Sequence, residues 1–171
     1  GAATARRLAS EGWNIFGVHL DRRSTLPNVE ALISDIESEG QTAVFFNGNA
    51  ADDGFRTSTI AAIDETLGSE GGRITMMMHS LAFGTLGYLV PDDGSKPISR
   101  KQIEMTMDVM ANSLVYWTQD VVAAEIMGPG RIFAMTSEGS EKAWPMYGPV
   151  AAAKAALECY VRQLGSELAP K

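Results

Sequence analysis

Tyr147 and Lys154 are the two side chains of this sequence whose types and spacing are best suited to chemistry. They lie seven residues apart, where the apolar segment 149–168 begins. Seven residues are close to two turns of an α-helix, so a helix would place the phenol and the ammonium on one face. A nearby cation favours the ionised form of a phenol and helps it to donate a proton at neutral pH. The alternative is an aromatic residue at a helix start with a solvated lysine, and the surrounding elements must decide.

Short apolar runs alternate with longer amphipathic segments, which predicts strands alternating with helices. The predicted strands are 14–20, 41–46, 73–78 and 131–136. The predicted helices are 2–11, 28–39 with Asn28 as its N-terminal cap, 53–67, 99–127 and 149–168. This alternation is typical of an α/β fold with a Rossmann-like, doubly wound parallel sheet, which binds ligands at the carboxyl ends of its strands.

Composition and charge narrow the classes of function. The 171 residues, 45% of them hydrophobic, suffice for a single domain, 1–171, with its own core. A net charge of -7 argues against nucleic acid or an anionic membrane as partner, because both attract positive surface. No apolar run is long enough to span a bilayer, so we expect a soluble, cytoplasmic protein. We expect no metal site from His19 and His79, and we expect Cys159 to be a packed apolar residue in the last helix.

Both ends of the sequence predict a fold that is interrupted there. Gly1 is followed at once by a helical pattern, as if it were the last glycine of a glycine-rich dinucleotide turn. The strand that should precede such a turn is missing, and so are the strands that usually follow a helix such as 149–168. We therefore expect 1–171 to be an incomplete dinucleotide-binding reductase domain from a longer chain.

Three segments combine into one motif. Residues 147–154, Tyr-Gly-Pro-Val-Ala-Ala-Ala-Lys, have the spacing Tyr-x6-Lys, and residues 79–83 read His-Ser-Leu-Ala-Phe after a predicted strand. Residues 140–147, Ser-Glu-Lys-Ala-Trp-Pro-Met-Tyr, lead up to the tyrosine. Together these segments resemble the short-chain dehydrogenase/reductase superfamily, and within it the divergent branch of enoyl-acyl-carrier-protein reductases. Ordinary members of the superfamily have Tyr-x3-Lys instead.

Ser137 departs from that branch, which usually carries a second tyrosine ten residues before the active one. It lies 17 residues before Lys154, where ordinary members of the superfamily place their catalytic serine. Ser137 is therefore a third candidate catalytic residue, and the equal alternative is a serine that only bonds local backbone at a strand end. The ordinary catalytic asparagine is missing, because Met110 stands at its position and Asn112 follows two residues later.

The resemblance implies reduction of the carbon-carbon double bond of an enoyl thioester by NAD(P)H. Tyr147 would donate a hydrogen bond to the thioester oxygen, and Lys154 would bind the nicotinamide ribose. An ordinary carbonyl or alcohol oxidoreductase, which Ser137 favours, and an inactive homologue are the alternatives. The acyl group would be carried by a carrier protein or CoA. The resemblance also implies a homo-oligomer, a tetramer built through the helices 99–127 and 149–168.

Further residues are expected to bind the cofactor. They are Gly1 at the turn, Asp21, Asn49 and Ala50 after the next two strands, and the backbone of Ser80, Leu81 and Ala82, in addition to Lys154. A carboxylate at Asp21 can accept hydrogen bonds from the adenosine ribose and repel a 2′-phosphate, which favours NADH. Arg22 and Arg23 pair well with phosphate, so NADPH stays the alternative.

Overall fold

Helices and strands alternate along the chain, as the sequence predicts. The structure, a computed structural model, describes residues 1–169, Glu70 by its backbone alone. The helices are α1 (Ala2–Ser10), α2 (Leu26–Ser38), α3 (Asp53–Glu70), α4 (Arg100–Met107), α5 (Ser113–Ala123) and α6 (Gly148–Leu168). The strands are β1 (Ile15–His19), β2 (Ala43–Asn47), β3 (Ile74–His79) and β4 (Met127–Ala134). A π-helical turn, Asp108–Asn112, joins α4 to α5, and a 3₁₀ turn, Glu138–Ser140, precedes α6.

The elements belong to two compact units, Gly1–Ile63 and the residues from Asp64 onward. In the first unit β1 and β2 are parallel and in register from the pair Ile15 and Ala43 to the pair His19 and Asn47. The core beside this pair of strands contains Ala9 of α1, Leu32 and Ile36 of α2, and the flanking side chains of Ala5, Ile15, Ala43 and Phe45. The first unit is therefore a small α/β layer packed around two parallel strands.

The second unit contains the parallel pair β3 and β4. Its core is formed where α6 packs against the π-helical turn and α5. The buried members are Met110, Ala111 and Leu114 on one side and Val150, Ala153 and Leu157 on α6. Met77 of β3 packs against this core. The α/β class and the parallel pairing of strands are thus confirmed in both units.

The start of α2 differs from the prediction. Asn28 lies inside the helix, not at its N-terminal cap, which is Thr25. Proline 27 explains the earlier start, because its fixed φ and its missing N–H suit the first turn of a helix. The prediction of Asn28 as the cap, made from side-chain type alone, was therefore wrong, and the actual cap lies three positions earlier.

The long helix predicted at 99–127 is interrupted and ends early. It begins as expected with Ser99, whose side chain and that of Gln102 form a capping box. The π-helical turn then separates α4 from α5, and the Ser113 hydroxyl donates to the Val109 carbonyl at 2.7 Å. Such bonds from a serine to the preceding turn disturb the regular helical ladder. The helix ends at Ala123, and Glu125 follows with a left-handed φ of 55°.

Strand β4 starts four residues earlier than predicted and ends at Ala134 instead of Thr136. A register shift between Ile74 and Met76 in β3 accommodates its first residues. Gly130 lies in that irregular stretch, and a Cβ atom there would stand 2.0 Å from the carbonyl oxygen of Thr75. Only a glycine permits this close approach of the two backbones.

Replacing Gly130 by alanine should therefore destabilise the protein by about 1–3 kcal/mol, because the clash is with backbone rather than with a flexible side chain. Urea unfolding of the full-length protein measures the change. The matched control is Gly68→Ala in α3, where a Cβ would meet nothing within 4 Å. That substitution should be stabilising by about 0.5–1 kcal/mol. Equal midpoints for Gly130→Ala and the wild type would show that β4 does not approach β3 in this way.

Cys159 is exposed on α6, so the expectation of a packed apolar residue is wrong. Its neighbours Leu157 and Tyr160 face or border the core, and position 159 falls between them on the outer side of the helix. Among residues 1–169, no helix is both long and apolar enough to cross a membrane.

Candidate active site

Tyr147 and Lys154 occupy the first two turns of α6. Tyr147 is the N-terminal cap residue, and Pro149 in the first turn fixes the direction in which the helix leaves it. Lys154 is 4% exposed, which is unusual for a lysine and excludes the alternative of a solvated side chain. The helix expected from the spacing is therefore present.

Ser137 lies against the phenol of Tyr147. Its Oγ atom is 3.1 Å from the Oη atom of Tyr147, within hydrogen-bond distance. Ser137 also caps the 3₁₀ turn, because its Oγ accepts a hydrogen bond from the Gly139 N–H at 3.2 Å. A Cβ atom at Gly139 would lie 2.3 Å from the tyrosine ring, so the glycine leaves room for the ring to rest on the turn. Ser137 therefore bonds both local backbone and the Tyr147 hydroxyl, and its catalytic role stays a prediction.

Lys154 points toward the carboxyl ends of β3 and β4. Its Nζ atom donates to the carbonyl oxygens of Met135, at 2.7 Å, and Leu81, at 3.2 Å. The backbones of the two strand ends are also joined, since the Met135 N–H donates to the His79 carbonyl at 2.9 Å. Burial lowers the pKa of Lys154 below its ordinary value. An ammonium has three N–H donors, so one remains for a bound ligand.

His79 is buried near Lys154. The sequence identified it as part of the segment 79–83 and gave it no role of its own. Its Nε2 atom is 2.8 Å from the Ser113 hydroxyl, whose single proton is donated to the Val109 carbonyl. Nε2 must therefore carry the ring proton and donate it to Ser113. Nδ1 is left as a buried acceptor with no hydrogen-bond partner among the described residues. Burial, and secondly the charge of Lys154, lower the pKa of His79 to about 4.

The depressed pKa of His79 makes folding stability depend on pH. Its ordinary pKa is 6.5, so as the pH falls the unfolded chain binds this proton before the folded chain does. The contribution is fully present above the ordinary value and is lost progressively toward pH 4. We expect the wild type to lose about 2 kcal/mol more than His79→Gln between pH 7 and pH 5. Urea unfolding at the two pH values measures this difference, and parallel losses in both proteins would contradict it.

A cleft of about 570 Å³ opens beside Tyr147 in the second unit. Its walls are Gly87–Val90, the segment 139–148, and the alanines Ala151, Ala152 and Ala155 on α6. The Trp144 ring stands tilted against the Tyr147 ring, with 5.3 Å between the centroids. Met146 has a φ of 63°, and its carbonyl accepts a hydrogen bond from the Gly87 N–H at 2.8 Å. This bond attaches the 80–99 loop to the segment before the tyrosine.

Much of the cleft wall is exposed and apolar. The large apolar side chains with 44% or more of their surface exposed include Tyr88, Leu89, Val90, Trp144 and Met146. Phe83, the last residue of the segment 79–83, is also exposed, although it does not line the cleft. Contiguous exposed apolar surface beside a cleft is typical of a site for an apolar ligand.

The residues expected to bind cofactor are divided between the two units. Ser80, Leu81 and Ala82 follow β3 in the second unit, where the Leu81 carbonyl contacts Lys154. In the first unit Gly1 caps α1 without a side-chain bond, so N–H groups of the first helical turn remain open. Asn49 is exposed after β2 and folds back to accept the Ala51 N–H at 3.1 Å, and Ala50 is buried.

Asp21 is held firmly at the end of β1. Its backbone N–H and carbonyl both bond to the side chain of Asn47 on β2, at 2.9 and 3.0 Å. Its carboxylate accepts a hydrogen bond from His19 Nδ1 at 2.8 Å. The Thr25 hydroxyl and then His19 hold the pKa of Asp21 below its usual range. Asp21 therefore offers a fixed negative charge at the carboxyl end of a parallel strand.

The position at which ordinary members of the superfamily have their catalytic asparagine carries a core residue here. Met110, at the ordinary asparagine position, is buried in the core. Asn112 accepts a hydrogen bond from the Tyr160 hydroxyl at 3.1 Å and lies 3.5 Å from the Asp108 carboxylate. The Asn112 side chain thus binds residues of α6 and of its own turn, and Ser137 and Lys154 are not among its hydrogen-bond partners.

Several contacting residues were missed in the sequence. His79 and Ser113 are 34 residues apart, and Glu158 contacts Thr136 and Ser140 from 22 and 18 residues away. No local pattern reveals such pairs. The only feature of the sequence that pointed to Glu158 is its spacing from Lys154. It lies one helical turn after Lys154, on the same side of the helix.

Comparison with known proteins gives relatives in one family. A family model described as Enoyl-(Acyl carrier protein) reductase matches residues 1–171. The NADH-dependent enoyl-[acyl-carrier-protein] reductase of Nostoc sp. is 28% identical over 165 residues, which are 96% of this chain and 60% of that protein. The corresponding enzyme of Enterococcus faecalis is 34% identical over 113 residues, 66% of this chain and 44% of that protein. The chain thus spans about half the length of the curated relatives it matches.

Solved structures support the fold. A short-chain dehydrogenase/reductase from Serratia marcescens matches 99% of this chain and 64% of its own with a TM-score of 0.82 and 22% identity. A short-chain dehydrogenase from Burkholderia cenocepacia in complex with NADP matches 99% and 65% with a TM-score of 0.80 and 24% identity. The Rossmann-like α/β architecture predicted from the sequence is confirmed by these matches. With the family model matched from the first residue to the last, the chain belongs to the enoyl-(acyl carrier protein) reductase family.

Proposed function

We propose that the full-length protein reduces the carbon-carbon double bond of an enoyl thioester with NADH, and that Tyr147, Lys154 and Ser137 carry the reaction. The observation behind this proposal is the arrangement on α6. A phenol at the edge of an apolar cleft has a serine hydroxyl 3.1 Å away and a buried ammonium two helical turns further along. Membership of the enoyl-(acyl carrier protein) reductase family supports the same reaction.

Each unit, taken by itself, contains residues that suit part of a nicotinamide dinucleotide. In the second unit, the third N–H of Lys154 is free to donate to ribose hydroxyls, and the backbone of Ser80–Ala82 follows a strand end beside it. In the first unit, the start of α1 suits a phosphate and the Asp21 carboxylate suits ribose hydroxyls. A bound nicotinamide would supply a hydride to the β-carbon of the substrate.

Tyr147 would act on the charge that this hydride displaces. The two electrons added at the β-carbon push negative charge onto the thioester oxygen, which forms an enolate. The Tyr147 hydroxyl would donate a hydrogen bond to that oxygen, and a solvent proton at the α-carbon would complete the saturated product. A donor of this kind is most effective in a site with little water, because the charge exists only on the way to product.

Lys154 and Ser137 would support Tyr147 in this role. Lys154 would supply a positive charge near the reacting groups, which stabilises the negative charge that develops on the thioester oxygen. Ser137 fixes the direction of the Tyr147 Oη atom through the 3.1 Å contact. Neither side chain needs to move for the reaction, which is the arrangement expected of a preorganised site.

The substrate class follows from the cleft. Its apolar walls at Tyr88–Val90, Trp144 and Met146 suit an acyl chain rather than a charged molecule. We propose an acyl thioester whose carrier is either an acyl carrier protein, as the names of the relatives indicate, or CoA.

For the cofactor we propose NADH over NADPH. The Asp21 carboxylate has a lowered pKa and stays ionised at neutral pH, so it would repel a 2′-phosphate. Arg22 and Arg23 are exposed and follow it directly. They would attract the phosphate instead if the cofactor were NADPH.

Ser137 supports one alternative, reduction of a carbonyl group. Two hydroxyls 3.1 Å apart can both donate to one carbonyl oxygen. The hydride would then go to the carbonyl carbon, and Tyr147 would protonate the resulting alkoxide. A solved structure with this kind of name, a 3-oxoacyl-[acyl-carrier protein] reductase from Brucella melitensis, is 23% identical and bears on the fold alone.

A side-by-side assay of the full-length protein separates these functions. Crotonyl and acetoacetyl thioesters are each combined with NADH and with NADPH, and oxidation of the cofactor is followed at 340 nm. We expect crotonyl thioester with NADH to be fastest. Faster reduction of the acetoacetyl thioester would favour the carbonyl alternative, and no turnover in all four mixtures would favour an inactive homologue.

We further propose a homotetramer assembled through α4, α5 and α6. Ile103, Val122 and Val161 on these helices are large apolar residues with between 37% and 39% of their surface exposed. Helices that keep apolar residues outside their own core commonly pack against a second copy. Light scattering of the full-length protein at micromolar concentration should give four times the chain mass, and a monomeric mass would contradict this.

A further inference from the structure

Glu158 holds the segment that carries Ser137 against α6. It lies four residues after Lys154, and its Oε1 atom accepts hydrogen bonds from the Thr136 Oγ1 and Ser140 Oγ hydroxyls. The Ser140 contact measures 2.7 Å. One carboxylate oxygen therefore binds both ends of the five-residue segment 136–140.

The catalytic candidate lies between those two hydroxyls. Ser137 is the second residue of the segment, and its Oγ is 3.1 Å from the Tyr147 Oη. The other end of this contact, Tyr147, is fixed to the start of α6. Glu158 belongs to the same helix, so it connects the segment 136–140 to the helix that carries Tyr147 and Lys154.

The charge of Glu158 suits this task. The hydroxyls of Thr136 and Ser140, in that order, lower its pKa, so it is ionised at neutral pH. Hydrogen bonds to an ionised acceptor are stronger than those between neutral groups. The single proton of the Ser140 hydroxyl is shared between Glu158 and the Ser137 carbonyl oxygen, which lies 2.8 Å away, so without Glu158 it would go to that carbonyl alone. The segment would then lose both side-chain bonds to Glu158 and keep only its contacts with Tyr147, through Ser137 and Gly139.

We infer that Glu158 is a positioning residue, which sets the distance between Ser137 and Tyr147 by binding the hydroxyls on either side of Ser137. This inference rests on the proposed function, in which Ser137 takes part in the reaction. Glu158 itself is assigned no contact with substrate or cofactor. Its effect on turnover passes through Ser137.

A double-mutant cycle tests this dependence. Glu158→Ala and Ser137→Ala should each lower kcat by about tenfold while leaving the affinity for NADH unchanged. The double variant should be no slower than Ser137→Ala, because Glu158 has nothing left to position. Multiplied effects, about a hundredfold in the double variant, would overturn the inference. The matched control is Glu167→Ala, an exposed glutamate on the same helix, which should keep wild-type kcat.

A conservative variant separates positioning from charge. Glu158→Gln retains an oxygen that can accept from both hydroxyls, so its kcat should stay within about threefold of the wild type. Ser140→Ala removes one of the two contacts and keeps Glu158, so it should fall between the wild type and Glu158→Ala. A glutamine variant as slow as the alanine variant would overturn the inference, since it would show that the charge acts by itself.

Hydrogen exchange gives a readout that does not require turnover. The amides of Gly139 and Ser140 donate to the Ser137 Oγ and carbonyl oxygen, so they report on the segment directly. Their exchange should be faster in Glu158→Ala and unchanged in Glu167→Ala. Unchanged exchange in Glu158→Ala would overturn the positioning role, whatever the activity. Failure of the proposed function would instead appear as wild-type protein inactive on every thioester.

Discussion

Tyr147→Phe in the full-length protein should lower turnover of an enoyl thioester by about 100- to 1,000-fold. The substitution removes one hydroxyl and keeps the ring that packs against Trp144 and Gly139. The lost hydrogen bond is made to charge that develops only during the reaction, so the effect belongs in kcat. Affinity for NADH should be nearly unchanged, because the phenol is proposed to contact the substrate oxygen and not the cofactor.

Stopped-flow measurement of hydride transfer and fluorescence titration of NADH give these two quantities separately. Tyr160→Phe is a matched control, since it also removes a tyrosine hydroxyl from α6. Among the described contacts, that hydroxyl bonds only to Asn112. The Tyr160→Phe variant should keep wild-type turnover. If Tyr147→Phe also kept wild-type turnover on every enoyl and keto substrate, the catalytic assignment of Tyr147 would be wrong.

Lys154→Ala should reduce both cofactor affinity and turnover. Loss of a charge-assisted contact with the ribose should weaken NADH binding by about 1.5–3 kcal/mol, roughly 10- to 150-fold. Turnover of saturated enzyme should fall as well, because the positive charge near the reacting groups is lost. The carbonyls of Met135 and Leu81 would lose a shared donor, so the strand ends would also be held less firmly.

The same titration and stopped-flow experiments measure both effects. Lys101→Ala, an exposed lysine on α4, is the matched control and should behave as the wild type. A Lys154→Ala protein that is folded by circular dichroism and binds NADH normally would contradict the proposed contact with the cofactor.

The sequence predicted the helix that carries Tyr147 and Lys154, because its start and its period are local features of the sequence. Helical periodicity converts a spacing of seven residues into a shared face without any tertiary information. The burial of Lys154 was not predicted, because the sequence left a solvated lysine open as the alternative, and its acceptors at Leu81 and Met135 could not be predicted either.

Features that depend on contacts between distant segments were not predictable in this way. At the π-helical turn, the Val109 carbonyl accepts the hydroxyl of Ser113, and Ser113 is itself bound by His79, which lies 34 residues away in the sequence. The close approach of Gly130 to Thr75 is visible only once β3 and β4 are paired. Glu158 looked like an ordinary charged residue of an amphipathic helix, and its role emerged from the two hydroxyls brought to it.

The direct test of the central proposal is the fate of the hydride. The full-length protein is incubated in ordinary water with crotonyl thioester and the faster of the two cofactors, NADH or NADPH. The cofactor carries one deuterium at C4, and each of the two C4 configurations is used in a separate reaction. Mass spectrometry and NMR then locate the label in the butyryl product. The proposed reaction predicts that only one of the two C4-labelled forms transfers its deuterium, and that this deuterium is found at the β-carbon. The hydrogen added at the α-carbon should come from solvent. A saturated product without deuterium at the β-carbon, or no saturated product, would contradict it.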